Sequence, residues 1–159
     1  MILRAANIAD RERISVTHRA SIEALCSGCY DTRDIAGWVD ILSPSIYENA
    51  INEKVMIVAE EGNEIIGLGI LDLEHREISA IYVHPKVEGM GVGKLLLLEL
   101  EAKASENQID QLGLSSTINA LGFYRHCGYT GEDKTFHDLP NGVKLECIRM
   151  HKTLGKQSL

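Results

Sequence analysis

Val83-His84-Pro85-Lys86-Val87-Glu88-Gly89-Met90-Gly91-Val92-Gly93-Lys94-Leu95 is the stretch that decides how the rest of this chain is read. Before it, Ile78 to Val83 is a β-branched and aromatic run that reads as a strand. After it, Leu95-Leu96-Leu97-Leu98 carries a helical run. Between them, three glycines alternate. Glycine lets a backbone approach a ligand closely and adopt conformations that a Cβ forbids. A helix N-terminus leaves its first N–H groups unpaired and carries partial positive charge. The two together make a site for a phosphate or pyrophosphate, so a phosphorylated cofactor is expected here.

Spacing separates three kinds of glycine-rich loop. The pattern G-x-x-x-x-G-K-[ST] would use Gly93 and Lys94, but Glu88 and Leu95 stand where it needs a glycine and a hydroxyl. The pattern G-x-G-x-x-G would start at Gly89 and Gly91, but Lys94 takes its last glycine, and the loop lies past the middle of the chain. The third pattern is [Q/R]-x-x-G-x-[G/A] after a strand ending Val-x-Pro. Glu88-Gly89-Met90-Gly91-Val92-Gly93 after Val83-His84-Pro85 fits it at both glycines. This block resembles the acetyl-CoA loop of the GNAT superfamily of N-acetyltransferases. Glu88 departs from the family's Gln or Arg and brings a negative charge near a pyrophosphate, which Lys94 would offset. Asn119-Ala120-Leu121-Gly122-Phe123-Tyr124-Arg125-His126-Cys127-Gly128-Tyr129 resembles a second family block in its Asn, Phe-Tyr and Gly-aromatic parts, with the alanine placed differently. The resemblance runs from about Glu77 to Tyr129.

Size and composition set the frame. With 159 residues, 45% hydrophobic and 25% charged, one N-acetyltransferase domain over 1–159 is expected. The first residues lack a signal-peptide layout, and no apolar run is long enough for a membrane span, so a cytoplasmic protein without a membrane partner is expected. A net charge of −7 argues against a nucleic-acid partner and suits a cationic acceptor such as an amine. Cys26 and Cys29 have C-x-x-C spacing but no second ligand pair; they read as structural thiols, and no metal is expected.

Along the chain, Ile2 to Ala5 reads as a strand. Asp10 reads as the N-cap of a helix whose Ile14, His18, Ile22 and Leu25 share a face and which closes at Gly28. Ile35, Trp38, Val39 and Leu42 repeat at helical spacing, and Ser43-Pro44 opens a third helix. Val55 to Glu60 and Glu64 to Leu73 form a hairpin about Glu61-Gly62-Asn63, with Gly67 and Gly69 marking close packing or a bulge. Strands at 77–83 and 111–115, helices at 91–107 and 118–126, and strands from Tyr129 and over 143–152 complete the order. The tail 155–159 is expected to fray. This order gives an α/β fold with a mixed, mostly antiparallel central sheet and helices on both faces, as the GNAT resemblance also implies, with strands splayed after the fourth to form a cofactor groove.

The resemblance further implies the chemistry. Acetyl-CoA is the expected co-substrate. Backbone groups of Ile81 and Val83 would pair with its pantetheine arm. Amides of Gly89, Met90, Gly91, Val92, Gly93 and Lys94 would take the pyrophosphate, and Asn119 would bond the arm or cap its helix. Tyr124 matches the family's thiolate-protonating tyrosine, with Phe123 beside it expected to pack. Glu77 matches the place of a catalytic glutamate; Asp72, Glu74 and His75 are alternatives for the base, and His84 reads as a strand-end residue. Tyr30, Trp38, Tyr47, Asp31 and Asp34 are candidates for the acceptor pocket, and Trp38 also reads as core. A homodimer is an expectation from the family. Two functions stay open: an N-acetyltransferase acting on a primary amine by direct attack in a ternary complex, and a non-catalytic acyl-CoA-binding sensor on the same fold.

Overall fold

The computed structural model describes residues 1–155; the tail beyond Gly155 lies outside them. Seven strands form one sheet in the order β1-β2-β3-β4-β5-β7-β6. They are β1 (Ile2–Ala5), β2 (Val55–Glu61), β3 (Glu64–Asp72), β4 (Glu77–Val83), β5 (Gln111–Thr117), β6 (Thr130–Asp138) and β7 (Lys144–Thr153). All neighbours are antiparallel except β4 and β5. The helices are α1 (Arg11–Ser21), α2 (Thr32–Asp40), α3 (Ile46–Glu53), α4 (Val92–Glu106) and α5 (Leu121–His126).

Several expected elements form for different local reasons than the sequence indicates. Asp10 does not cap α1 with its side chain; Asn7 caps the short 3-10 turn before it, by accepting from Ala9 N at 3.0 Å. The Asp10 carboxylate instead accepts from both Arg4 Nη atoms at 2.8 Å, from Arg13 at 2.6 Å and from Asn7 N at 2.8 Å, at 1% exposure. These donors hold its carboxyl at about 2, with the Arg4 bonds the largest cause. Pro44 lies in the turn before α3, which begins at Ile46. The first helix does not run evenly to Gly28: residues Ile22–Cys26 wind as a π-helix.

Gly67 and Gly69 let α4 sit close on β3. A Cβ on Gly67 would come within 2.8 Å of Leu96 Cδ1, and one on Gly69 within 3.0 Å of Leu100 Cδ1. The core on this side joins Leu96, Leu97 and Leu100 to Ile57, Leu71, Ile78, Leu112 and Leu114. On the opposite face, α1 and α3 cover Met56, Val58 and Leu68, and α2 brings Trp38 and Val39 against Leu145 and Cys147.

Strand β4 carries a bulge. Ile70 pairs with Ala80, but the next residue, Leu71, pairs with Ile78, so Ser79 is extra. Side chains alternate faces along a strand, and the extra residue flips that alternation. Ile78 therefore shares the α4 face with Ile81 and Val83, while Tyr82 packs among residues of the α1 and α2 side. By the same count, Glu77 lies on the face of Tyr82.

Candidate active site

Strands β4 and β5 pair only at Glu77–Gly113 and Ile78–Leu114. Beyond those two pairs the sheet opens. The hydrogen-bond phase of β4 decides what faces the gap. His84 N donates to Ile66 O at 2.8 Å, and the register places 82 opposite 68 and 80 opposite 70. In an antiparallel ladder every second residue bonds its partner strand. The peptide groups of Ile81 and Val83 thus turn away from β3 and into the opening, where no strand meets them.

A cavity of about 600 Å³ fills this opening. Its walls include Ile81 and Val83 from β4, Gly89, Gly91, Gly93 and Lys94 from the loop and start of α4, Thr117 at the end of β5, and Asn119, Ala120 and Phe123 beyond it. Ser21, Leu25, Cys26 and Tyr82 also line it, although they belong to the α1 side of the sheet. One cavity therefore reaches both faces through the split.

The loop end is built for an anion. Gly89 and Gly91 have φ of +76° and +86°, a region that a side chain strains to occupy. Gly91 is the N-cap of α4, so the first free amides of that helix follow it. Gly93 has an ordinary helical φ, and a Cβ there would stand 3.5 Å from Phe123 Cζ and 3.7 Å from Val83 Cγ1, between the two walls. Lys94 is exposed and has no acidic partner among the described residues, whereas Lys86 is bound by Glu64. Glu88 is exposed and lies on the cavity wall. Met90 is 71% exposed on the loop. His84 Nδ1 accepts from Lys86 N at 3.2 Å and caps the short turn after β4. A diphosphate on an extended arm fits this set: free amides and an unpaired lysine at one end, unbonded strand peptides in the middle.

Tyr124 is 6% exposed and packs against Phe123 and Tyr129, with ring centroids at 5.0 and 5.8 Å. Phe123, expected as the packing half of the pair, is the one that lines the cavity. Burial pushes the Tyr124 phenol well above its ordinary value. Glu77 is 34% exposed and is held by Arg149 at 2.5 Å. Arg149 reaches it from β7 by crossing Gly113, where a Cβ would lie 2.3 Å from Arg149 Nη2. Asp72 is engaged by His75 at 2.9 Å and Lys54 at 3.4 Å. Glu74 sits with His75 in the turn between β3 and β4.

The aromatic candidates for the acceptor pocket are not free to bind one. Tyr30, Trp38, Tyr82 and His18 form a row with ring centroids 5.9, 6.1 and 4.3 Å apart. Trp38 and Tyr47 are buried, and the Tyr47 hydroxyl shares a 2.8 Å hydrogen bond with His18 Nδ1. Burial lowers the His18 pKa to about 4, so this ring is neutral at neutral pH. The Tyr30 hydroxyl donates to Glu146 O at 2.5 Å and accepts from Ile118 N at 3.1 Å. Asp31 caps α2 by accepting from Asp34 N at 2.8 Å, and Asp34 is half-buried in its first turn. Trp38 and Tyr47 are core because long-range packing consumes them, and Tyr30 is half-buried with its hydroxyl spent on backbone groups. The wall residues Ser21 and Cys26 carried no sequence signal for the site, because they enter the wall through a local rewinding of the helix.

Burial also raises the thiols on the wall, Cys26 to about 12 and Cys127 above its ordinary value. All four cysteines are free. Among the described residues, no group of three or more His, Cys, Asp or Glu side chains is placed to hold a metal ion.

Comparison with known proteins agrees with this geometry. The family model described as an acetyltransferase (GNAT) domain matches residues 26–154. A GCN5-related N-acetyltransferase structure from Rhodopseudomonas palustris superposes with a TM-score of 0.86 at 24% identity, over 96% of this chain and 95% of that one. The PaiA N-acetyltransferase of Thermoplasma acidophilum, solved with coenzyme A, gives 0.80 at 24% identity, over 96% and 98%. YncA of Salmonella typhimurium, described as a putative acetyltransferase and solved with acetyl-CoA, gives 0.65 at 18% identity, over 100% and 96%. These three similarities carry the fold; the family match, which covers most of the sequence, carries membership, and the chain belongs to the GNAT acetyltransferase family.

Proposed function

We propose that this chain is an acetyl-CoA-dependent N-acetyltransferase, one domain over 1–159, that acetylates a primary amine by direct attack in a ternary complex. The observation that carries the reading is the cavity that crosses the sheet. A donor on the α4 side and an acceptor on the α1 side can meet in it without either leaving the protein.

Acetyl-CoA supplies an activated acyl group as a thioester. The chain's residues do the rest. Amides from Gly89 to Lys94 bind the diphosphate. The peptide groups of Ile81 and Val83 bond the pantetheine arm as a neighbouring strand would, and one N–H polarises the thioester carbonyl. Asn119, on the opposite wall, bonds the arm. Glu77, on the Tyr82 face but outside the cavity lining, takes the proton of the amine through water, while Arg149 fixes its carboxylate. The carbon–nitrogen bond forms, the carbon–sulfur bond breaks, and Tyr124 donates its proton to the departing thiolate. A phenol is protonated at neutral pH, as that task requires. A covalent route through Cys26 is disfavoured because its thiol stays protonated.

Placement in the cytoplasm and the absence of nucleic-acid and membrane partners belong to the same proposal, as does a homodimer. Among the described residues, no helix is long and apolar enough to cross a membrane.

The test joins binding to turnover. Titration with acetyl-CoA should show saturable binding, and thiol release should follow when an amine is added. Tyr124→Phe should keep binding within twofold and lower turnover about tenfold or more. Unchanged turnover would remove Tyr124 from the reaction, and binding without turnover across an amine panel would favour the acyl-CoA sensor.

A further inference from the structure

Ser21 is the last residue of α1, immediately before the π-helical segment Ile22–Cys26. In an α-helix, residues five apart lie about 140° from each other around the axis. Hydrogen bonding from i to i+5 brings them one above the other instead. The rewinding therefore places Ser21 and Cys26 on one wall with Leu25, and all three line the cavity.

Ser21 is 2% exposed, yet its hydroxyl makes no hydrogen bond among the described residues. Its neighbours on the helix behave otherwise. Ser15 donates to Glu12 O at 2.8 Å, and Thr17 donates to Ile65 O. A helical serine either bonds a carbonyl of the preceding turn or turns its hydroxyl toward solvent or a ligand. The Ser21 Oγ is not one of the fully buried polar atoms without a partner, which among the described residues are His18 Nε2 and Tyr129 OH, so the hydroxyl keeps its access to the cavity it lines. Ser21 borders the cavity from the side opposite α4, beside Tyr82. The ionisable wall residues Glu88, Lys94 and His126 come from the loop, α4 and α5. The α1 side contributes the Ser21 hydroxyl, the Tyr82 phenol, the Cys26 thiol and apolar carbon to the lining, with no ionised side chain in contact with the cavity to receive an ammonium group.

We propose that Ser21 is the acceptor-binding residue: its Oγ accepts a hydrogen bond from the N–H of a neutral primary amine and aims the nitrogen lone pair at the thioester carbon. This rests on the acetyl-transfer reading above and narrows it. The substrate class is a weakly basic amine, such as an α-amino group with a pKa of about 8, rather than an alkylamine near about 10.

The experiment uses the full chain, acetyl-CoA, and two amine probes, glycinamide and n-butylamine, at about pH 7.5, where only the first is substantially neutral. Ser21→Ala should bind acetyl-CoA within about twofold of wild type and melt at or above the wild-type temperature, because Ala favours the helix. Its KM for glycinamide should rise about five- to tenfold, the loss of one neutral hydrogen bond. Ser21→Thr, which keeps the hydroxyl, should recover most of that loss. Wild-type turnover of n-butylamine should be at least about tenfold slower than that of glycinamide.

An unchanged glycinamide KM in Ser21→Ala overturns the assignment. So does a loss that tracks melting temperature or acetyl-CoA affinity, which would mark a structural role. Equal rates with the two amines overturn the substrate class. Wild-type protein that binds acetyl-CoA but acetylates neither probe refutes this inference and leaves the donor site standing; protein that binds no acetyl-CoA refutes the donor site itself.

Discussion

Gly91 and Gly93 are two residues apart, yet replacing each by alanine should move stability in opposite directions and cofactor affinity in the same one. Gly93 is the second residue of α4 and has an ordinary helical φ. Its added methyl would meet only ordinary contacts, 3.5 Å to Phe123 and 3.7 Å to Val83. Alanine favours a helix over glycine by up to about 1 kcal/mol, and by roughly half that in a first turn. The melting temperature should therefore rise by about 1–2 °C. The methyl, however, stands between the two walls through which the cofactor arm must pass. Losing one or two charge-assisted bonds to phosphate is worth about 1.5–3 kcal/mol, or about 10- to 100-fold in Kd. Gly91→Ala meets nothing within 4 Å, but its φ is +86°. Strain of about 1–2 kcal/mol should lower the melting temperature by about 2–8 °C, and relaxation of the loop should weaken CoA as well. Thermal melts and calorimetric titration with CoA read both quantities. If Gly93→Ala binds CoA within twofold of wild type, the passage between Val83 and Phe123 is not the cofactor's path.

Acid should unfold the protein partly through Asp10. Its folded pKa lies near 2, below the usual carboxylate value, so its stabilisation is complete above the unfolded pKa and is lost as pH falls from about 4 toward 2. The contribution is about 2 kcal/mol, and Asp10→Asn should flatten the loss of stability over that window in denaturant titrations at a series of pH values. Tyr30→Phe should leave Ile118 N without its acceptor and Glu146 O without its donor; a loss of about 2 kcal/mol, or about 4–8 °C, is expected in a melt. Ile118 directly follows the cavity residue Thr117, so CoA affinity should fall in that variant too.

The readable parts of this protein were those whose cause is local. The glycines at 89 and 91 announce a backbone of positive φ, and the structure has it, while Gly93 is an ordinary helical residue. The hairpin about Gly62 and the packing glycines at 67 and 69 were legible for the same reason. What escaped depends on partners distant in sequence. The extra residue at Ser79 has no composition signal, yet it settles which face Glu77 occupies. Arg149 reaches Glu77 only because residue 113, thirty-six positions earlier, lacks a side chain. Trp38 reads as core and is core, while Tyr30 and Tyr47 read only as candidates for the acceptor pocket because exposure cannot be read from aromatic identity; tertiary packing buries Tyr47 and uses the Tyr30 hydroxyl as a bracket. Asp10 has the chemistry of a cap, but two arginines outcompeted the backbone for it.

Because β4 and β5 part after two residue pairs, the sheet has a pair of raw margins in its interior in addition to its outer two. Margins of this kind invite pairing with any extended chain that reaches them. A strand-like cofactor arm that occupies the gap removes that invitation and also favours the folded state by mass action. The protein's resistance to aggregation should therefore follow the cellular supply of CoA, so that starvation for the donor shortens the lifetime of the catalyst as well as slowing it.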